Sequence, residues 1–147
     1  MAKEKVLIAC DHIGLPLKLF LIEALRDDVT FYDNGTHSDE RCNYNEYACL
    51  LSTKIRDSSQ ISKGILICGT GVGMAIAANR HQGIRAVVCS EPYSALMSRK
   101  HNDTNILCLG SRVLGPELAK EIVTHWLSTS FDGGRHAARL DLIDKYR

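Results

Sequence analysis

One cysteine in this chain is followed directly by alternating glycines, in the run Cys68-Gly69-Thr70-Gly71-Val72-Gly73-Met74. A thiolate is a base and a nucleophile, and glycines let a backbone turn sharply and approach a ligand closely. Before the thiol, Gly64-Ile65-Leu66-Ile67 reads as a short buried strand. After the loop, Met74-Ala75-Ile76-Ala77-Ala78 is rich in helix formers, so a helix is expected to begin near Val72. Strand, glycine loop and helix N-terminus converge several N–H groups and the positive end of a helix dipole on one point. That is a site for an anion.

The spacing narrows which anion. Five positions after Gly69, where a P-loop has its second glycine, stands Met74, followed by Ala75 and Ile76 instead of Lys and Ser or Thr. The order G-x-G-x-G is not the G-x-G-x-x-G of a dinucleotide loop. A cysteine phosphatase would close its loop with an arginine that grips phosphate through two bonds, and no arginine follows Cys68 before Arg80. The loop suits a small oxyanion better than a nucleotide.

Elements that position this loop are legible on both sides of it. Val6–Ala9 reads as a first strand, with Cys10-Asp11-His12 at its carboxyl end. Gly14 marks a turn and Pro16 opens a helix to about Leu25. Further strands are expected at 30–33, 84–89 and 105–110, with helices over 44–56, 93–100, 116–126 and 137–146. Strand and helix alternate five times, which predicts one domain spanning 1–147. Its expected form is a three-layer α/β/α sandwich, a Rossmann-like five-stranded parallel sheet with a C-terminal helix. Ligands of such sheets bind beyond the carboxyl ends of the strands, where Asp11, His12, Cys68 and the glycine loop fall.

Composition excludes several other classes. Eighteen basic residues balance seventeen acidic ones over 147 positions, and no basic run is interleaved with aromatics, so neither nucleic acid nor an acidic membrane is indicated. No apolar stretch is long enough to span a bilayer, and Met1-Ala2-Lys3-Glu4-Lys5 does not read as a signal peptide. Six cysteines at 10, 42, 49, 68, 89 and 108 contain no C-x-x-C pair, which argues against a zinc site and for free thiols in a reducing cytoplasm.

Several further segments now bear on identity: Gly83-Ile84-Arg85-Ala86, Ser90-Glu91-Pro92-Tyr93, Arg99 to Asn105, Leu109-Gly110-Ser111-Arg112 and Gly133-Gly134-Arg135-His136. With Cys10-Asp11-His12 and the run from Gly64 to Asn79, they resemble the ribose-5-phosphate isomerase B and galactose-6-phosphate isomerase family over nearly the whole chain. The resemblance implies interconversion of an aldose phosphate and its ketose through an enediolate. It also implies no metal or organic cofactor, and a homodimer or homotetramer with active sites between subunits.

Carried onto this chain, Cys68 would be the base moving a proton between C1 and C2. His101, with Asp11 and Thr70, would assist opening of the furanose ring. The N–H groups of Gly69, Gly71, Val72, Gly73 and Met74 would hold the developing oxyanion. His12, Arg112, Arg135 and Arg139 would bind phosphate, some of them from a neighbouring subunit. One branch of the family has a glutamate at the position of Met74, which places this chain in the cysteine branch.

Each residue also has a plainer reading. Asp11 and His12 would serve as helix caps, and His101 as a helix C-terminal charge. Arg135 and Arg139 sit four apart, the spacing of a solvated helix face as well as of an anion grip. Asn79 and Asn102 read either as contacts to sugar hydroxyls or as caps. Cys10, Cys89 and Cys108 read as buried structural thiols, and Cys42 and Cys49 as incidental. Ribose 5-phosphate is the expected substrate. The rivals are allose or galactose 6-phosphate, a sugar-phosphate binding module without catalysis, and a subunit that needs a different partner chain.

Overall fold

Aliphatic runs form the strands, and the stretches between them form the helices. The computed structural model describes residues 2–146. In order they form β1 (Glu4–Cys10), α1 (Leu15–Ala24), β2 (Val29–Asp33), α2 (Tyr44–Asp57), β3 (Gly64–Cys68) and α3 (Val72–Ala78). After these come β4 (Ala86–Val88), α4 (Pro92–Asn102), β5 (Ile106–Gly110), α5 (Pro116–Ser128) and α6 (Arg135–Asp144). The sheet is parallel throughout, in the order β2-β1-β3-β5-β4.

Alternation along each strand divides the core in two. Val6, Ile8, Ile65, Ile67, Leu107 and Leu109 pack against α1, α4 and α5 through Leu17, Leu21, Ala95, Ile122 and Trp126. Leu7, Leu66, Cys68, Ile106 and Cys108 face the other way, onto α2 and α3 through Ala48, Leu51, Met74 and Ala78. The three central strands are buried on both faces, so their sequences read as unbroken hydrophobic runs. Alternation therefore aims the Cys68 side chain toward α2 and α3.

Among the boundaries that differ from expectation, two have a clear local reason. The fourth strand is shorter than 84–89 because Ile84 bonds back to His81 in a turn, and the Arg85 amide is taken by the Asn105 side chain at 2.8 Å. The last helix begins at Arg135 instead of 137, directly after Gly133 and Gly134, whose φ values of 67° and 57° end the preceding loop.

A buried charge pins the β2 end of the sheet. Lys18 on α1 is fully buried, and its ammonium reaches Asp33 Oδ1 at 2.6 Å and the Thr36 carbonyl at 2.5 Å. This ties the carboxyl end of β2, and the loop leading to α2, against β1 and α1.

Candidate active site

At the carboxyl edge, β3 ends on Cys68 and the chain turns through the glycine loop into α3. Gly71 holds φ at 81°, and a Cβ there would stand 3.0 Å from the main chain of Leu109. Glycine is thus required at 71 by both conformation and space. That turn directs the Gly71 N–H onto the Cys68 sulfur at 3.2 Å. Cys68, Gly69, Thr70, Val72 and Gly73 line a shallow cleft of about 480 Å³ together with Asp11, Ile13, Tyr44, Ile76 and Arg112. Thr70 Oγ1 accepts the Val72 amide at 3.3 Å. The first N–H groups of α3 have no acceptor within the helix. Met74 differs from its neighbours in the loop: its side chain is fully buried in the core beneath.

Asp11 and His12 stand on the opposite wall. Asp11 is buried, and its Oδ1 accepts the Ile13 and Gly14 amides, both at 3.0 Å. Helix α1 has Gly14 as its N-cap with no side-chain bond, so Asp11 braces the turn instead of capping the helix. Its Oδ2 has no hydrogen-bond partner among the described residues. His12 Nδ1 accepts the Cys42 amide at 3.3 Å, which leaves Nε2 as the donor nitrogen of the neutral ring. His12 lies in an adjoining hollow of about 770 Å³ that shares Asp11, Ile13, Tyr44 and Arg112 with the first. The exposed Arg112 guanidinium bonds no other described side chain, and its position between the two hollows suits an anion.

His101, Asn102, Arg135 and Arg139 are elsewhere. Helix α4 starts beyond β4 at the carboxyl edge and runs back to the start of β5, so its end lies at the amino edge. A five-residue strand separates the two edges by roughly 15 Å. The end of α4 is firmly held. Arg99 Nη1 reaches Asp103 Oδ1 at 2.9 Å and the Thr104 carbonyl at 2.5 Å, and Trp126 Nε1 donates to Thr104 Oγ1 at 2.9 Å. On this edge the His101 ring stacks on His136 from the first turn of α6, with centroids 4.1 Å apart. Asn102 is the last, exposed residue of α4, whose C-cap is Asp103.

A family model described as Ribose/Galactose Isomerase matches residues 6–143. The chain belongs to the ribose/galactose isomerase family. It is 51% identical over 141 residues to ribose-5-phosphate isomerase B of Escherichia coli (strain K12), covering 95% of this chain and 94% of that protein. It is 40% identical over 144 residues to the D-erythrulose-4-phosphate isomerase of Pectobacterium atrosepticum, covering 96% and 93%. Among solved structures, ribose-5-phosphate isomerase B from Mycoplasma genitalium with bound ribulose-5-phosphate superimposes with a TM-score of 0.92. That match has 36% identity and covers 99% of this chain and 97% of the other.

In this ribose/galactose isomerase chain, some cleft residues escaped the sequence reading. Tyr44 borders both hollows, and its ring lies over the glycine loop so closely that a Cβ on Gly73 would meet it at 2.6 Å. Arg41, Cys42, Asn43 and Asn45 line the second hollow. All belong to the segment after β2 and the first turn of α2. Its place after a strand's carboxyl end was the available signal. The main-chain amide of Cys42 orients His12, a contact that does not depend on the cysteine side chain. Asn79 pairs both ways with the main chain of Ala86, a structural brace that lines neither hollow. Burial pushes the Cys10 thiol up to about 11 and the Cys89 thiol up to about 12, and raises Cys108 as well. These three remain protonated core residues. Cys68 differs from them in facing the cleft with an amide donor on its sulfur.

Proposed function

We propose that this chain interconverts ribose 5-phosphate and ribulose 5-phosphate, with Cys68 as the base. The observation that carries this reading is the Gly71 N–H aimed at the Cys68 sulfur inside the glycine-loop cleft. An N–H directed at sulfur is a contact that supports a thiolate. The thiolate takes the hydrogen from one carbon of the aldehyde–alcohol pair, and the C–H electrons become the C1=C2 bond of an enediolate. Those amides of the loop from Gly69 to Met74 that Cys68 and Thr70 do not engage hold the oxygen on which charge develops, an effect worth about 3 kcal/mol of barrier per donor. A proton passes from the C2 oxygen to the C1 oxygen, and return of the carbon-bound proton to C1, as the C2 oxygen becomes the ketone, completes the exchange.

Ring opening precedes this step. Asp11 takes the O1 proton, the C1=O1 bond forms, and O4 leaves with the C1–O4 electron pair, taking a proton from His101. Thr70 positions the sugar, and Asn102 bonds its hydroxyls. Phosphate rests on His12, Arg112, Arg135 and Arg139.

This assignment uses residues from both edges of one sheet, so it requires a second copy of the chain. We infer a homodimer, or a tetramer built of such dimers, in which His101, Asn102, Arg135 and Arg139 of one subunit complete the cleft of the next. A two-fold arrangement forms two such sites at once. Val72 and Ile76, half exposed beside the cleft, are apolar surface suited to this contact. The six free cysteines fit a cytoplasmic setting. Among the described residues no helix is long and apolar enough to cross a membrane.

Mixing two inactive variants tests the whole reading. Cys68→Ala and His101→Asn proteins are each expected to lose ribose 5-phosphate turnover. Unfolded together and refolded at equal concentrations, they should recover roughly a quarter of wild-type activity, because random pairing makes half the dimers mixed and each mixed dimer has one intact site. Failure to recover any activity would exclude sites shared between subunits. A panel of four-, five- and six-carbon sugar phosphates would then rank the substrates.

A further inference from the structure

The amino edge holds one imidazole that the proposed chemistry does not use. His136, in the first turn of α6, is only 8% exposed, yet its ring lies flat against His101 with an interplanar angle of 14°. The outer torsion of a histidine is broad and close to two-fold, so a ring that must present one nitrogen to a substrate needs a neighbour to fix its plane. No ring nitrogen of His101 is hydrogen-bonded to any described residue. The stacked ring of His136 lies flat along that plane.

His136 is itself well held. Its amide donates to the Gly133 carbonyl at 3.1 Å, at the turn formed by Gly133 and Gly134, and Leu140 anchors the same helix one turn later in the core. Asp132 is tied to the end of α4 by its own amide, which donates to the Lys100 carbonyl at 3.0 Å. The His101, His136 and Asp132 ligand-type atoms lie within 4.8 Å of one another, but the pair does not suit a metal ion. Two imidazoles that meet face to face cannot both aim lone pairs at one ion. Arg135 and Arg139 add positive charge at the same place.

We propose that His136 is a positioning residue for ring opening, stacking behind His101 so that its nitrogen meets the ring oxygen of the sugar. The inference rests on the assignment of ring opening to His101, and it extends that assignment to a residue that touches no substrate. Burial favours this division of labour, since it opposes a proton on His136.

The two directions of the reaction provide the test. Ribose 5-phosphate enters as a furanose and must be opened, whereas ribulose 5-phosphate has no ring, because the hydroxyl that would close one carries the phosphate. In deuterated water, loss of a C1 hydrogen signal from ribulose 5-phosphate therefore reports the enediolate step alone. His136→Ala is expected to lower kcat on ribose 5-phosphate by about 100-fold, the scale of a misplaced catalytic group, with C1 hydrogen loss from ribulose 5-phosphate kept within a few-fold of wild type. His136→Phe, which retains a flat ring, should restore most of the ribose 5-phosphate rate, and His136→Leu, similar in bulk but not flat, should not.

An equal fall on both substrates would mark His136 as merely structural and overturn the proposal. So would a Phe variant no better than Leu. If His136→Ala does not fold, the Phe and Leu pair decides the question. A His101→Asn protein serves as the reference. If it too loses both substrates equally, or loses neither, the ring-opening assignment itself fails. If it loses only ribose 5-phosphate while the His136 variants behave as wild type, that assignment stands and the proposal alone falls.

Discussion

At the carboxyl edge of the sheet, the candidate groups are main chain and short side chains: a thiol, a carboxylate, a hydroxyl and a row of amides set by glycine conformation. At the amino edge the candidates are long or planar side chains at helix ends, namely His101 and Asn102 closing α4 and Arg135 and Arg139 opening α6. The first edge is concave, and each group is held by the backbone that bears it. The second is a rim of groups with reach, braced from behind by Trp126, Thr104 and Arg99. A sheet of parallel strands has one edge that collects loops into a cleft and another that presents helix termini. Under the proposed function, a site that needs both a precise base and a long-armed anchor for phosphate would be met by joining the two edges of different copies.

If this division holds, damage to each edge has its own signature. The largest effect is expected from Cys68→Ala, which should lower kcat by about 1,000-fold or more while substrate still binds, measured as C1 hydrogen loss from ribulose 5-phosphate. Turnover within tenfold of wild type would remove the base from the carboxyl edge.

Arg135→Ala comes next. Losing one charge-assisted hydrogen bond to phosphate, worth about 2 kcal/mol, should raise KM by about 30-fold with little change in kcat at saturation. A fall in kcat with KM unchanged would mean the amino edge does more than bind.

Gly73→Ala should cost about tenfold in kcat/KM. The new methyl displaces the Tyr44 ring, which stands 2.6 Å from where the Cβ must go, and the end of a side chain can move where backbone cannot. Adding Tyr44→Ala should return part of the loss. If the double variant is worse than either single one, the ring matters for more than its bulk.

The smallest effect concerns pH. Burial first, then His101, Arg135 and Arg139, lower the His136 pKa from 6.5, with Asp132 opposing. The unfolded chain then binds this proton more readily than the folded one, so stability is retained above about pH 6.5 and declines as pH falls through the lowered value. Thermal unfolding of wild type against His136→Phe between pH 5 and 8 should show this component in wild type only.

Much of the carboxyl edge was readable because it is local in sequence. Cys68 and its glycines are contiguous, and Asp11 and His12 follow directly on a strand, so the rule that ligands sit beyond strand ends suffices to bring them together. Tyr44 was missed for the opposite reason. It touches the loop only because α2 packs beside α3, and nothing in the pattern of residues 44–56 distinguishes a cleft wall from a helix start. His136 was legible only as part of the Gly133-Gly134-Arg135-His136 motif. Its stacking on His101 joins residues 35 positions apart through the packing of α6 on α4.

By itself, the sequence determined the alternation of strand and helix, the parallel sheet, and the cysteine that would meet an oxyanion loop, because hydrophobic period and glycine spacing are properties of neighbours along the chain. Only the tertiary structure decided that His101, Asn102, Arg135 and Arg139 stand on the edge away from Cys68, and that His136 backs His101. The reason is geometric: a helix returning along a sheet carries its end to the far edge, and the distance it covers is set by packing between layers, which no local pattern encodes.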